Sequence, residues 1–404
     1  MAERKIVVVG LGYVGLPLAV ALSHHFPVTG FDISPKRIKE LQNYIDSSGE
    51  VSIDKLRSCS VRFTTNPAII KENNFIIVCV PTPIDEDNEP DLLCIESSSK
   101  LVAENLSSNS IVVYESTVYP GVTEEICMPI LEKYSSLSYG KDFTLGYSPE
   151  RMNPGDKERT VDKITKVVSG SDQKTLDAIE EVYSKITITF RAESIKVAEA
   201  AKVIENIQRD LNIALMNELA VLFDKMNINV HDVIKAASTK WNFHPYTPGL
   251  VGGHCIGVDP YYLTYKARMI GHNTEVILAG RKTNDAMHIF YARKILILLK
   301  KNVDKSNPRI LILGLTFKPN VSDYRNSRVK HLINELTRRG AIVSAYDPFL
   351  NENIVTERFK TTFYAENNAD PDLDGVVVAV EHDSLKEKIA ILQKKYPVIR
   401  LKEL

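Results

Sequence analysis

The chain lacks an excess of charge of either sign, with 50 Lys+Arg against 51 Asp+Glu in 404 residues. A polyanion binder is therefore excluded, because nothing is left over to neutralise a phosphate backbone. No apolar run is long enough to cross a bilayer, and the best candidate, KILILLKK, is bounded by lysines. Five cysteines (Cys59, Cys79, Cys94, Cys127, Cys255) form no CxxC pair, and an odd number makes a poor disulfide framework. The start, MAERKIVVVG, passes from charge straight into a strand-like run, unlike a signal peptide. Low-complexity segments and short repeats are missing too. Ordinary charge and aromatic content exclude global disorder. These absences predict a reduced, cytosolic globular protein, long enough for two or three domains.

What is present begins with alternation. KIVVVG, VTGFD, FIIVCVPTP and SIVVYEST are continuous apolar runs ending in turn residues, as expected for strands buried on both faces of a parallel sheet. Helix-like segments, YVGLPLAVALSHHF and PKRIKELQNY among them, lie between, which predicts a doubly wound α/β domain over residues 1–193. From Ser194 to Met226 apolar residues recur at helical spacing without Pro or Gly. That predicts one long connecting or dimerising helix opening a helical middle domain, 194–304. A Gly/Pro/aromatic-rich loop, WNFHPYTPGLVGGHCIGVDPYY, interrupts it. NPRILILGLTF, AIVSAYDP and LDGVVVAVEHD then restart the alternation, predicting a second α/β domain over 305–404, alike to the first in architecture alone.

Gly10-x-Gly12-x-x-Gly15 follows a strand and opens a helix. The first glycine permits the tight turn, the second lets pyrophosphate approach the backbone, and the third allows close helix–strand packing. Asp32 ends the next strand, where a carboxylate accepts from ribose hydroxyls and selects NAD over NADP; Lys36 and Arg37 nearby weaken that selection. Cys255 sits among Gly252, Gly253 and Gly257, with Asp259 four residues on, so its thiol could attack a carbonyl or simply fill a tight turn. Lys202 and Asn206 share one helix face, with Arg209 on about the same side; they could hold an oxyanion, or form a solvated face beside Glu199 and Glu205. Glu150, in the turn GYSPER, could be an acid/base group. Thr82 and Thr117 lie at strand C-termini, where open α/β sheets bind ligands. A lone Gly314 provides no second dinucleotide fingerprint. His244, His254 and His288 show no metal-ligand spacing.

In order along the chain, GxGxxG, VPTP, STVYPG, SPER, EAAKVIEN, GGHCIGVDPYYL and GLTFKPNVSDYRNS resemble the nucleotide-sugar 6-dehydrogenase family, across essentially its whole length. The resemblance implies two Rossmann-like domains joined by a long central helix, usually as a homodimer or higher oligomer. It implies an NAD-dependent four-electron oxidation of the sugar C6 hydroxyl to a carboxylate, through an aldehyde and an enzyme-bound thioester. By motif position, Gly10, Gly12, Tyr13, Val14, Gly15, Asp32 and Arg37 would hold NAD, Thr82 and Thr117 would line its site, and Arg325 would reach it from the C-terminal domain. Cys255 would be the nucleophile. Lys202, Asn206 and Asp259 would stabilise oxyanions, Glu150 would serve thioester hydrolysis, and Thr117 would orient the water. Glu150, Arg151, Lys202, Asn206, Arg209, Gly252 and Lys318 match positions that contact the UDP-sugar. The first oxidation needs a base, either neutral Lys202 or a water held by Asp259.

The chain departs from the UDP-glucose branch, which resembles G-G-x-C-x-P-K-D, at Val258, where that branch has its lysine. GGHCIGVDPYYL and WNFHPYTPG look like the branch acting on UDP-N-acetylhexosamines for surface polysaccharide such as capsule or O-antigen. This ranks UDP-GlcNAc before UDP-GalNAc and UDP-ManNAc. Two alternatives compete: a two-electron dehydrogenase of hydroxyacid type, which needs no cysteine, and a nucleotide-binding scaffold without chemistry.

Overall fold

The computed structural model of the chain describes residues 4–85, 87–151, 161–300, 305–365 and 372–404. Packing divides the chain into two units, Met1–Glu205 with Tyr261–His272, and Asn206–Pro260 with Asn273–Leu404.

In the first unit, β1 (Ile6–Val9), β2 (Val28–Phe31), β3 (Arg62–Thr64), β4 (Phe75–Val78), β5 (Ser110–Tyr114), β6 (Phe143–Tyr147), β7 (Lys166–Gly170) and β8 (Thr189–Arg191) form one sheet. Its order is β3-β2-β1-β4-β5-β6-β7-β8, parallel except where β7 runs against β6. Every residue of β1, β2, β4 and β5 is buried, which is why those four strands read as unbroken apolar runs. The edge strands β3 and β8 are short and polar, and carry no such signal. β1 pairs with β2 on one side and β4 on the other, Ile6 lying opposite both Val28 and Phe75. The chain thus changes direction across the sheet at β1, opening a crevice at the carboxyl ends of β1 and β4.

In the second unit, β9 (Arg309–Leu313), β10 (Ile342–Tyr346), β11 (Thr362–Phe363), β12 (Gly375–Val378) and β13 (Val398–Arg400) form a parallel sheet of order β11-β10-β9-β12-β13. The pleat splits β9 between two core layers. Ile310 and Ile312 pack with Ile295, Leu299 and Leu332, whereas Leu311 and Leu313 pack with Leu385 and Ile389.

The predicted long helix runs Ile195–Lys225, and the division between units falls within it, after Glu205. Its second half holds a buried polar network. Arg281, 2% exposed, donates to Asp210 at 2.6 Å, and Asn284 Nδ2 donates to the same Asp210 oxygen at 2.7 Å. Asn284 Oδ1 accepts from Asn217, which bonds both the carbonyl and the N–H of Gly249 (3.0 and 2.8 Å). Burial pushes the Asp210 carboxyl up, against the pull of Arg281 and Asn284. The network fixes the start of the Cys255 loop onto helix. Removing one partner of a buried ion pair strands the other charge, so Arg281→Met should cost about 3–5 kcal/mol in denaturant unfolding. Arg281→Met with Asp210→Leu should recover most of that loss. Equal losses in the single and double variants would assign the cost to packing rather than to the stranded charge.

Candidate active site

The glycine loop after β1 is shaped by contacts that leave no room for side chains. Gly10 has φ +92°, and a Cβ there would lie 2.6 Å from the Cys79 carbonyl oxygen after β4. A Cβ on Gly15 would run into the Gly10 carbonyl, whereas Gly12 faces open space. Tyr13 and Val14 lead into the helix Gly15–Leu22, whose N-terminus no side chain caps. Open space at Gly12 beside uncapped N–H groups fits a pyrophosphate. Asp32 closes the loop from the end of β2: Oδ2 accepts from the Leu11 N–H and Oδ1 from the Ser34 N–H, each at 2.9 Å. Arg37, the cation that weakened the case for NAD, is already engaged. Its Nε donates to the Leu11 carbonyl at 2.9 Å and its Nη2 pairs with Asp46 at 2.8 Å. Burial works to raise the Asp46 carboxyl, but bonds from Ser48, the Val51 N–H and Arg37 outweigh it and hold the group low. Lys36 pairs weakly with Glu40 at 3.9 Å.

The loops after β4 and β5 are tied together. Ser116 donates to the Val80 carbonyl (2.7 Å) and accepts from its N–H (3.0 Å), and the Thr82 hydroxyl donates to the Thr117 carbonyl (2.6 Å). Tyr262 reaches the Thr82 carbonyl at 2.7 Å. Thr82 and Thr117 are thus partners, and neither caps a helix. Beneath them lies a charged cluster. Lys166 Nζ bonds Glu115 at 2.6 Å and Glu150 at 2.9 Å, all three buried, and Tyr183 donates to Glu115. Burial alone would lower the Lys166 ammonium, but the two carboxylates more than offset it and hold the group charged, above its ordinary value. Glu150 also accepts from the Arg151 N–H at 2.6 Å, and Arg151 Nε donates to Glu205 at 2.6 Å.

On the long helix, the solvated-face alternative fails: Lys202 and Asn206 are buried, and so is Glu199. Glu199 accepts from the N–H groups of Gly121 (2.5 Å) and Thr123 (3.0 Å), shaping the STVYPG loop, while burial pushes its carboxyl up. Lys202 belongs to the first unit and Asn206 to the second.

In the second unit, Asn206 Nδ2 donates to Asp259 at 2.5 Å, and Arg209 donates to Asn206 Oδ1. Asp259 begins the helix Asp259–Met269, and its N–H donates back to the Cys255 carbonyl at 2.9 Å. Cys255, half-buried, therefore sits one turn before a carboxylate that the long helix holds. Gly252 allows close approach, since a Cβ there would lie 2.6 Å from the Asn326 carbonyl oxygen. His254 pairs with Asp323 at 3.0 Å, and Arg325 grips the same carboxylate through Nε (3.0 Å) and Nη2 (2.9 Å). Burial opposes ionisation of Asp323, but these bonds win and hold it well below the carboxylate range. Lys318 Nζ lies over the Phe317 ring at 5.6 Å.

The likeness of the two halves goes deeper than architecture. Gly314, φ +82°, ends β9 as Gly10 ends β1, and Asp347 after β10 accepts from the Leu315 N–H (2.6 Å) as Asp32 does from Leu11. Glu199 is legible in the motifs only as a neighbour of Lys202; Glu115, Lys166, Asp347 and His382 are not legible there. Their signal is a charge or imidazole inside or just beyond an apolar run, as in SIVVYEST and GVVVAVEHD.

Residues 4–187 match the NAD binding domain of the UDP-glucose/GDP-mannose dehydrogenase family, 196–286 its central domain and 311–401 its UDP binding domain. The Staphylococcus aureus protein CapL is 51% identical, over 95% of this chain and 91% of its own length. A Pseudomonas aeruginosa UDP-N-acetyl-D-glucosamine 6-dehydrogenase is 48% identical, over 96% and 92%. A solved UDP-D-ManNAc dehydrogenase from Pyrococcus horikoshii superposes with TM-score 0.87 at 29% identity, covering 99% of this chain and 95% of that one. The ordered motifs, the two largely parallel sheets and the loops at their strand ends have one common source: the chain belongs to the UDP-glucose/GDP-mannose dehydrogenase family, with that family's NAD-binding and UDP-binding domains.

Proposed function

We propose that the chain oxidises the C6 hydroxyl of UDP-N-acetylglucosamine to the carboxylate, releasing four electrons in two steps, and that the product serves surface polysaccharide synthesis. The observation that carries the chemistry is the linkage of Asn206 to Asp259 at 2.5 Å and of Asp259 to the Cys255 backbone at 2.9 Å. It ties the turn that carries the thiol and the carboxylate to an amide donor on the long helix. The choice of sugar is supported by 48% identity to a UDP-N-acetyl-D-glucosamine 6-dehydrogenase, against 29% to the UDP-D-ManNAc enzyme. CapL supports a capsule role by its name.

Gly10, Gly12, Tyr13, Val14, Gly15, Asp32 and Arg37 would hold NAD, with Thr82, Thr117 and Arg325. NAD supplies the two-electron acceptor, used twice per sugar. Between those oxidations the Cys255 thiolate adds to the C6 aldehyde, forming a C–S bond and placing negative charge on oxygen. Lys202 and the Asn206 amide stabilise that oxyanion; losing one such donor costs roughly 2.7–4 kcal/mol in the transition state. Oxidation of the adduct leaves a thioester. Water, oriented by Thr117, adds to it; Glu150 takes a water proton, and the C–S bond breaks to return the thiol and release the carboxylate. Lys166 and Glu115 would keep Glu150 in place for this step. Arg151, Arg209, Gly252 and Lys318 would grip the UDP-sugar.

The decisive experiment measures NADH formed per sugar consumed with UDP-GlcNAc, UDP-GalNAc, UDP-ManNAc and UDP-glucose, for the wild type and Cys255→Ser. Two NADH per UDP-GlcNAc are expected from the wild type, and no uronic acid from the variant. One NADH per sugar, or steady uronic acid from Cys255→Ser, would sink the thioester route. Asp32→Ala should weaken NAD binding by at least tenfold, about 1.4 kcal/mol, while UDP binding stays within twofold. An equal loss of both ligands in calorimetry would count against the ribose role of Asp32.

A further inference from the structure

The loop after β9 carries Lys318, and it is pinned on both sides of that residue, at Leu315 and Thr316 and at Asn320. Asp347 Oδ2 accepts from the N–H groups of Leu315 (2.6 Å) and Thr316 (3.3 Å). The Thr316 hydroxyl donates to the Lys318 carbonyl at 3.0 Å. The Asn320 N–H, in a residue with φ +60°, donates to His382 Nδ1 at 2.9 Å, and the Asn320 amide exchanges bonds with Asp383 at 2.6 and 2.9 Å. A backbone N–H can only donate, so His382 Nδ1 is the acceptor and Nε2 carries the proton. That Nε2–H points at Asp347 Oδ2, 3.0 Å away, with the Thr316 oxygen at 3.3 Å. His382 is fully buried and Asp347 nearly so, with the Phe349 ring edge-on to the imidazole at 5.0 Å. Burial works to raise the Asp347 carboxyl, but bonds from His382 and from the Leu315 and Phe349 N–H groups hold it low.

The first unit shows what the imidazole adds. There Asp32 accepts from Leu11 and Ser34, with no buried histidine behind it among the described residues, and stays partly open to solvent. In the second unit the corresponding carboxylate is sealed, and His382 links it by hydrogen bonds to Asn320 at the far end of the loop. Leu315 is held by the carboxylate directly and Asn320 by the imidazole, so Lys318, between them, has its backbone fixed from both sides.

We propose that the Asp347–His382 pair is a positioning clamp that presents Lys318 to the diphosphate of the UDP-sugar, a role that rests on the reading of Lys318 as a UDP contact. Asp347 and His382 touch no ligand in this role; they act through the loop. Orienting a flexible lysine by its backbone cuts the entropy lost when it engages phosphate.

The test is a double-mutant cycle read by calorimetric titration of UDP, and separately of NAD, into the full-length chain. His382→Ala and Lys318→Ala should each weaken UDP binding roughly tenfold, and the double variant should be little weaker than Lys318→Ala, since coupled residues are not additive. NAD affinity should be unchanged throughout. His382→Asn, whose side-chain oxygen can accept from the Asn320 N–H, should recover part of the loss. Thr316→Val drops the hydroxyl bond to the Lys318 carbonyl and the longer contact to Nε2, but leaves the imidazole bonded to Asp347 and to the Asn320 N–H, and so gives the same reading should His382→Ala not fold. It too should weaken UDP binding only while Lys318 is present. Additive losses in the double variants would leave Lys318 as a UDP contact and overturn the clamp. UDP binding at wild-type strength in Lys318→Ala would refute the reading beneath it, and the clamp with it.

Discussion

Each sheet of this protein turns on one hydrogen bond: a carboxylate at the end of the strand beside the first accepts the N–H that follows a left-handed glycine. Asp32 and Leu11 make it in the first unit, Asp347 and Leu315 in the second. The bond has a simple necessity behind it. A parallel strand buried on both faces must stop somewhere; the glycine N–H still bonds the neighbouring strand's last carbonyl, and the N–H after it has no ladder partner. A carboxylate supplied by the neighbouring strand satisfies that donor and fixes the turn. The glycine is required because the chain must bend at positive φ with another strand's carbonyl pressed against its Cα.

The two units then use the same device differently. In the first, the carboxylate remains partly exposed at a crevice whose glycine loop leaves open space, an arrangement fit for a nucleotide that brings its own hydroxyls and phosphates. In the second, the carboxylate is sealed by His382, and its charge stabilises a loop rather than meeting a ligand. Polar groups buried elsewhere follow the same logic. Lys166 sits between two carboxylates, and Asp210 between Arg281 and Asn284; each cluster lies next to a loop that carries a proposed site residue, Glu150 in one case and Cys255 in the other. Unpaired, any of these charges would cost several kcal/mol to bury, so the loops they anchor cannot shift without breaking the pairing.

The reading of the long helix shows how burial decides between competing accounts of one pattern. Lys202, Asn206, Glu199 and Glu205 on one helix are as consistent with a wet surface as with a site, because spacing reports which residues share a face and not what covers it. Burial of Lys202, Asn206 and Glu199 removes the wet-surface account. The capping of the Gly121 and Thr123 N–H groups by Glu199 gives that carboxylate a structural task which spacing could not show.

The sequence alone determined the class of fold, the strands β1, β2, β4, β5, β9, β10 and β12, the long helix and the residue types of the proposed site. These rest on local rules: apolar runs for strands buried on both faces, helical periodicity over 31 residues, and glycines where no side chain fits. The strands β3, β6, β7, β8, β11 and β13 escaped, because runs of two to five residues broken by glycine or polar groups carry no readable period. What only the tertiary structure decided was pairing across long separations: Arg37 with Asp46 and Leu11, Lys166 with Glu115 and Glu150, Asn206 with Asp259, and His382 with Asp347. A charge or an amide in a sequence states what it can bond. Which partner it meets depends on the sheet order and on the burial that makes an unsatisfied group too costly to leave alone.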